Sequence, residues 1–270
     1  MLVLNGTLLE DLYFPNNEAF IPDPTKLVRT CNRLELKYRS DNDLVRLMFV
    51  KRRLDELGVL CNLFIWYMPY CRMDRKIDDR LFTLKYVCEF MNNLKFDSIT
   101  VVEPHSPATL ELLTGAKVVY PSQDWLSQVI TDMGFDTDTD SLVLPDKGAL
   151  NRYRNLPNYN LCFLSKQRDP ITAKISGMQL TNGQIIPGSK CLIIDDLCSR
   201  GSTFMLAGKL LKELGAKSIS LLVTHLERNV FTGQLLDANS PIDKVYASQS
   251  LMEEPHEKIQ YLEMEVDRYV

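Results

Sequence analysis

The sequence predicts an α/β protein of two similar halves, each a mainly parallel sheet flanked by helices. Three observations carry this reading. Short apolar runs alternate with amphipathic helical segments along the whole chain, the pattern of repeated strand–helix–strand units. A polar, acidic stretch, GFDTDTDS at 134–141, interrupts that alternation near the midpoint, and the pattern then restarts. Four apolar runs end in clusters of polar and charged residues, as strands do where their C-terminal ends line a ligand crevice. The halves are therefore expected at 1–135 and 136–270.

In chain order, residues 2–4 and 34–38 read as strands. Residues 43–57 space Leu44, Leu47, Met48, Leu54 and Leu57 along one helical face. A strand at 60–66, a helix at 82–94, strands at 99–102 and 118–119 and a helix at 125–133 complete the first half. In the second, strands fall at 142–144 and 160–165, and 173–178 is expected to pair in a hairpin. The run at 192–194 leads into Asp195 and Asp196, followed by a helix at 204–214 and strands at 219–224 and 245–247. The last ten residues mix apolar and acidic positions and are expected to pack back on the body.

The 270 residues are 45% hydrophobic and 24% charged, enough to bury a sizeable core without staples. The net charge of −4, with no basic stripe, gives nucleic-acid binding no electrostatic support. No apolar run reaches spanning length, and the first residues lack the basic and small-residue marks of a signal peptide. Neither a membrane nor a nucleic-acid partner is expected. The seven cysteines form no CxxC pair and read as reduced core thiols of a cytoplasmic protein.

The most informative stretch is CLIIDDLCSRGST, from Cys191 to Thr203. A continuous apolar run is the mark of a buried parallel strand. Carboxylates at its C-terminal end suit sugar hydroxyls or a metal. The turn formed by Ser199, Arg200, Gly201, Ser202 and Thr203 then presents N–H groups at a helix start to a phosphate. Elsewhere, Arg72, Arg75 and Lys76 follow one strand, His105 follows another and could ligate a metal through its neutral imidazole, and Pro145-Asp146 follows a third. Lys166 and Arg168, one residue apart, are aimed alike if their segment is extended, and could stabilise charge on a transferring phosphoryl group. His225 also follows a strand but reads as structural, and His256 reads as a surface residue.

Taken together, these pieces resemble the ribose-phosphate pyrophosphokinase (PRPP synthetase) family along nearly the whole chain. The family's FPDGE looks like Phe14-Pro15-Asn16-Asn17-Glu18, its PYARQDRK like Pro69 through Lys76, and its DLH like Glu103-Pro104-His105. Its PDxG looks like Pro145-Asp146-Lys147-Gly148, its KxR like Lys166-Gln167-Arg168, and its sugar-phosphate motif like Asp195-Asp196 with the 199–203 loop. The resemblance implies tandem phosphoribosyltransferase-type domains and transfer of the β,γ-diphosphate of ATP to the anomeric hydroxyl of a ribose 5-phosphate, with Mg²⁺ as cofactor. It implies ATP contacts at Phe14, Asn16, Glu18, Arg72, Asp74 and Arg75, catalytic roles for Lys166, Arg168 and His105, and a metal near His105, Asp146 and Asp195. Ribose-phosphate contacts would come from Asp146, Asp195, Asp196 and Ser199 through Thr203. It further implies a homo-oligomer, a dimer or multiple of dimers, in which the FPxxE loop lends adenine contacts across an interface.

Four departures stand out: Met73 replaces a Gln, Asn17 a Gly and Glu103 an Asp, and Ser199-Arg200 replaces an Asp-Thr pair. Arg200 adds a cation where a diphosphate rather than a terminal phosphate would sit. Relatives in bacteriophage NAD-salvage pathways make ADP-ribose pyrophosphate, and the altered loop fits that branch, in which the host cytoplasm would be the location. The acceptor is therefore ribose 5-phosphate or ADP-ribose. A phosphoribosyltransferase would explain only the C-terminal half. A catalytically inactive regulatory paralogue would have lost cations or the histidine that this chain retains.

Overall fold

The computed structural model describes residues 1–153, 156, 159–168 and 175–269. The chain forms two compact units, Met1–Tyr120 with Glu265–Val270, and Pro121–Met264.

The first unit contains β1 (Leu2–Leu4), β2 (Thr7–Leu9), β3 (Leu12–Tyr13), β4 (Ala19–Phe20), β5 (Cys31–Leu36), α1 (Asn42–Glu56), β6 (Leu60–Ile65), α2 (Thr83–Asn93), β7 (Ser98–Val102), α3 (Ala108–Leu112) and β8 (Lys117–Val119). Its six-stranded sheet runs β2-β1-β5-β6-β7-β8. Strands β5 to β8 are parallel, and β1 is antiparallel to both neighbours. Asn5-Gly6 joins β1 to β2 with φ of 52° and 84°, the positive pair that a tight hairpin needs. Alternate positions Leu2, Leu4, Leu34, Leu36, Leu63 and Ile65 are at most 1% exposed. Leu47, Val50 and Leu54 of α1 are buried at helical spacing. The C-terminal segment turns in a 3₁₀ helix at Val266–Arg268, and Asp267 pairs with Arg33.

The second unit contains α4 (Pro121–Asp132), β9 (Ser141–Leu144), α5 (Lys147–Tyr153), β10 (Asn160–Arg168), β11 (Ile175–Asn182), β12 (Lys190–Cys198), α6 (Ser202–Glu213), β13 (Ser218–Leu226), β14 (Lys244–Ala247) and β15 (Ile259–Tyr261). Its seven strands run β11-β10-β9-β12-β13-β14-β15, all parallel except β10–β11. The pleat sorts the strand residues into two cores. Leu142, Leu144, Leu192, Ile194 and Leu222 pack with Trp125, Leu126 and Val129 of α4 and Ala149 and Tyr153 of α5. Val143, Cys191, Ile193, Leu221 and Val223 pack on the other face with Phe204, Ala207 and Leu211 of α6.

GFDTDTDS is a hydrogen-bonded turn within the second unit, and the division of the units falls earlier, ahead of α4. Asp140 accepts from the N–H groups of Asp136 at 2.8 Å and Lys190 at 2.6 Å. Its polarity is that of Asx turn chemistry. The expected 173–178 hairpin strand is β11, which begins at Ile175; residues 173 and 174 lie outside the described residues.

Candidate active site

In the second unit the chain leaves β9 for β10 on one side and later fills the other side with β12. This reversal creates a crevice beyond the C-terminal ends of β9 and β12, where ligands bind in open α/β sheets. Asp146 lies two residues past β9. Asp195 and Asp196 lie inside β12, which continues to Cys198, so the strand runs longer than the apolar stretch alone indicates. Both carboxylates are nearly buried, at 8% and 4% exposure.

Alternation along β12 carries Asp196 to the face that also holds Leu192 and Ile194, against α5. There the Arg152 guanidinium donates from one nitrogen to Asp196 Oδ1 at 3.1 Å and to Asp195 Oδ1 at 3.4 Å. Asp195 Oδ1 also accepts the Asp196 N–H at 2.9 Å. Burial, then the neighbouring charges of Asp196 and Asp146, push the Asp195 carboxyl well above the usual range, against the pull of Arg152. Arg152 is a candidate site residue that sequence reasoning missed. Its signal was the spacing from Asp146: six residues on, at the far end of a short helix that Asp146 itself caps.

Asp146 Oδ1 accepts the N–H groups of Gly148 at 2.9 Å and Ala149 at 3.2 Å, starting α5. Its Oδ2 accepts from Lys166 Nζ at 2.9 Å. Burial pushes this carboxyl up, but Lys166 and the two backbone donors outweigh it and hold it below the usual range. Lys166 stands on β10, paired with Met178 of β11, so the basic segment is extended through Arg168. Arg168 is the last residue of β10, and its side chain lies outside the described residues.

The loop after β12 is tightly fitted. Gly201 has φ of 80° and caps α6. A Cβ there would lie 2.7 Å from Leu235 Cβ, and one at Gly233 would lie 2.0 Å from the Arg200 carbonyl oxygen. The Glu227 N–H donates to the Cys198 carbonyl at 2.8 Å. These contacts pin the backbone from Ser199 to Ser202 while leaving the Arg200 and Ser202 side chains exposed, with Ser199 and Thr203 half-buried. The opening N–H groups of α6 have no acceptors within the helix.

In the first unit, Phe14, Asn16 and Glu18 form the exposed tip of the β3–β4 hairpin. The Glu18 N–H donates to Asn16 Oδ1 at 3.2 Å, and the Phe14 and Phe20 rings lie 4.9 Å apart. Arg72, Asp74 and Arg75 lie on the turn after β6, and Glu103-Pro104-His105 lie after the neighbouring β7, at the same end of the sheet. Arg72 and Arg75 are exposed, while Asp74 and His105 are half-buried. Tyr70 opens the turn at φ of 60° and donates to Asp41 at 2.6 Å. His225 is buried inside β13 with Nδ1 2.9 Å from Ser250 Oγ, a structural histidine. His256 is half-buried and accepts the Lys258 N–H at 3.1 Å, so it is fixed rather than a free surface group.

Residues 158–244 match the phosphoribosyl transferase domain family. Curated relatives are the ribose-phosphate pyrophosphokinases of Saccharolobus solfataricus, 28% identical over 81% of this chain and 76% of that protein, and of Sulfolobus acidocaldarius, 29% identical over 83% and 78%. The phosphoribosylpyrophosphate synthetase of Mycobacterium smegmatis shares the fold, with a TM-score of 0.75 at 19% identity over 94% of this chain and 85% of that one. The chain belongs to the ribose-phosphate pyrophosphokinase family.

Membership gives the departures a physical reading. Asn17 takes the glycine position of the family's FPDGE with φ of 66°, a conformation that asparagine tolerates. Glu103 is fully buried at φ of 35°, and its N–H donates to the Val119 carbonyl at 2.9 Å. Among the described residues no group of three His, Cys, Asp or Glu side chains is disposed to hold a metal. The oxygen donors Asp146 and Asp195 nonetheless suit Mg²⁺, a hard ion that keeps waters and takes few protein ligands.

Proposed function

We propose that the chain transfers the β,γ-diphosphate of ATP to the anomeric hydroxyl of a ribose 5-phosphate moiety and releases AMP. The observation that carries this reading is the pair Asp195–Asp196 at the strand switch, followed at once by the pinned helix-capping loop, with Lys166 held beside Asp146. The carboxylates accept hydrogen bonds from the ribose 2- and 3-hydroxyls. The 199–203 loop, with Ser199, Arg200, Gly201, Ser202 and Thr203, holds the 5-phosphate. The anomeric oxygen attacks the β-phosphorus, the bond from that phosphorus to the AMP oxygen breaks, and the hydroxyl proton passes to solvent. Lys166 and Arg168 stabilise the charge on the transferring group; such reactions depend mostly on positioning and charge.

Phe14, Asn16 and Glu18 contact adenine, and Arg72, Asp74 and Arg75 contact the triphosphate. In the second unit Asp146 and Asp195 would hold Mg²⁺, and in the first His105 would ligate a metal; the ion when bound neutralises phosphate charge. The chain acts as a homo-oligomer in the cytoplasm. No described helix is long and apolar enough to cross a membrane. A phosphoribosyltransferase reading accounts for 158–244 and leaves the PYxRxDR and EPH segments without a role.

Arg200 supports a second acceptor. It is an exposed cation on a fixed backbone at the phosphate loop, suited to a phosphate that continues into ADP. Incubation with ATP, Mg²⁺ and either ribose 5-phosphate or ADP-ribose, following AMP, separates the two. Arg200→Ala should weaken ADP-ribose use about tenfold or more and lower ribose 5-phosphate use less. Turnover with ribose 5-phosphate alone removes the ADP-ribose reading.

A further inference from the structure

Two cations face the three clustered carboxylates, and they are held very differently. Arg152 is 9% exposed, against aspartates that are 11% and 5% exposed at the side chain. It is a buried, doubly bonded counter-ion that cannot leave without stranding charge. Lys166 is 24% exposed, against an Asp146 side chain that is 32% exposed, through a single contact. A partly exposed pair held by one contact is more easily exchanged than the buried pairs of Arg152. The backbone also fixes which oxygen is available. Asp146 Oδ1 is occupied by the N–H groups of Gly148 and Ala149, so Lys166 occupies Oδ2, the oxygen a divalent ion would need.

We infer that Asp146 is a positioning residue for Lys166: it holds the catalytic ammonium in place before substrate arrives, and a divalent cation taking Asp146 Oδ2 releases Lys166 toward the transferring group. The exchange keeps a cation on that oxygen and adds one positive charge at the cluster of three carboxylates. It ties the mobility of the catalytic lysine to metal loading, while Arg152 stays with Asp195 and Asp196. This inference rests on the role proposed for Lys166.

The test follows Lys166 itself. The full-length chain is acetylated briefly with an N-hydroxysuccinimide ester, with and without Mn²⁺, and Lys166 labelling is read by mass spectrometry against the exposed Lys85. Bound Mn²⁺ is counted by the loss of the free-ion electron paramagnetic resonance signal. Mn²⁺ should raise relative Lys166 labelling about two- to fivefold, the range open to a pair of this exposure. Asp146→Asn, with its fold checked by circular dichroism, should label fast without metal and show no further rise. Unchanged wild-type labelling with Mn²⁺ bound, no Mn²⁺ binding, or slow labelling in a folded Asp146→Asn would each overturn the exchange. Absence of AMP release from ATP with the labelling response intact would instead remove the proposed reaction and leave the exchange standing.

Discussion

Asp195 and Asp196 were legible as candidate site residues because two carboxylates rarely end an apolar run without a reason. Arg152 was not, because its one local mark is its spacing from Asp146; it meets the two aspartates only when α5 brings it over β12. The cost of this arrangement is an Asp195 carboxyl whose pKa lies above its unfolded value. Between the two values the folded state keeps a proton that the unfolded state gives up, so stability from this group falls as pH rises through that window. In metal-free buffer Asp195→Asn should therefore melt higher than wild type near neutral pH, by about 2–4 °C per kcal/mol relieved. The gain should shrink toward about pH 4, where the unfolded carboxyl also holds its proton. A variant that melts lower, or a difference that does not change with pH, would count against the buried acid pair. Lys166→Ala should lower AMP release by about 100-fold or more, with little change in melting temperature because its ion pair is half-exposed. Near-normal turnover would remove its assigned role.

At the scale of elements, the strand–helix alternation was readable because the core follows it residue by residue: Leu192 and Ile194 face one helix layer, Cys191 and Ile193 the other. Elements without an apolar stripe escaped notice. The β3–β4 hairpin is exposed, α5 is only seven residues long, and β10 and β12 extend through polar residues that carry no apolar signal. The 199–203 loop depends on a partner segment invisible in its own sequence, the stretch through Gly233 that closes on Arg200. Gly233→Ala should cost about 1–3 kcal/mol by overpacking. It should raise the KM for the ribose-phosphate acceptor more than it lowers kcat, as steady-state kinetics would show. A lower melting temperature with an unchanged acceptor KM would separate this loop from acceptor binding.

For the whole molecule, composition indicated reduced core thiols, and six of the seven cysteines are buried, with Cys31 exposed. Burial pushes the Cys61, Cys88 and Cys191 thiols up to about 12. A disulfide reagent should therefore titrate one thiol rapidly in the native protein and the other six only on unfolding; a second fast thiol would show that a unit opens readily. In the proposed reaction, the segments assigned to the nucleotide lie in the first unit and those assigned to the sugar phosphate in the second. The claim that they serve one diphosphate transfer is tested most directly by phosphorus NMR of the product formed from ATP, Mg²⁺ and ribose 5-phosphate or ADP-ribose. The account predicts stoichiometric AMP with a new diphosphate on the anomeric oxygen of the acceptor. Release of ADP, or no AMP with either acceptor, would contradict it.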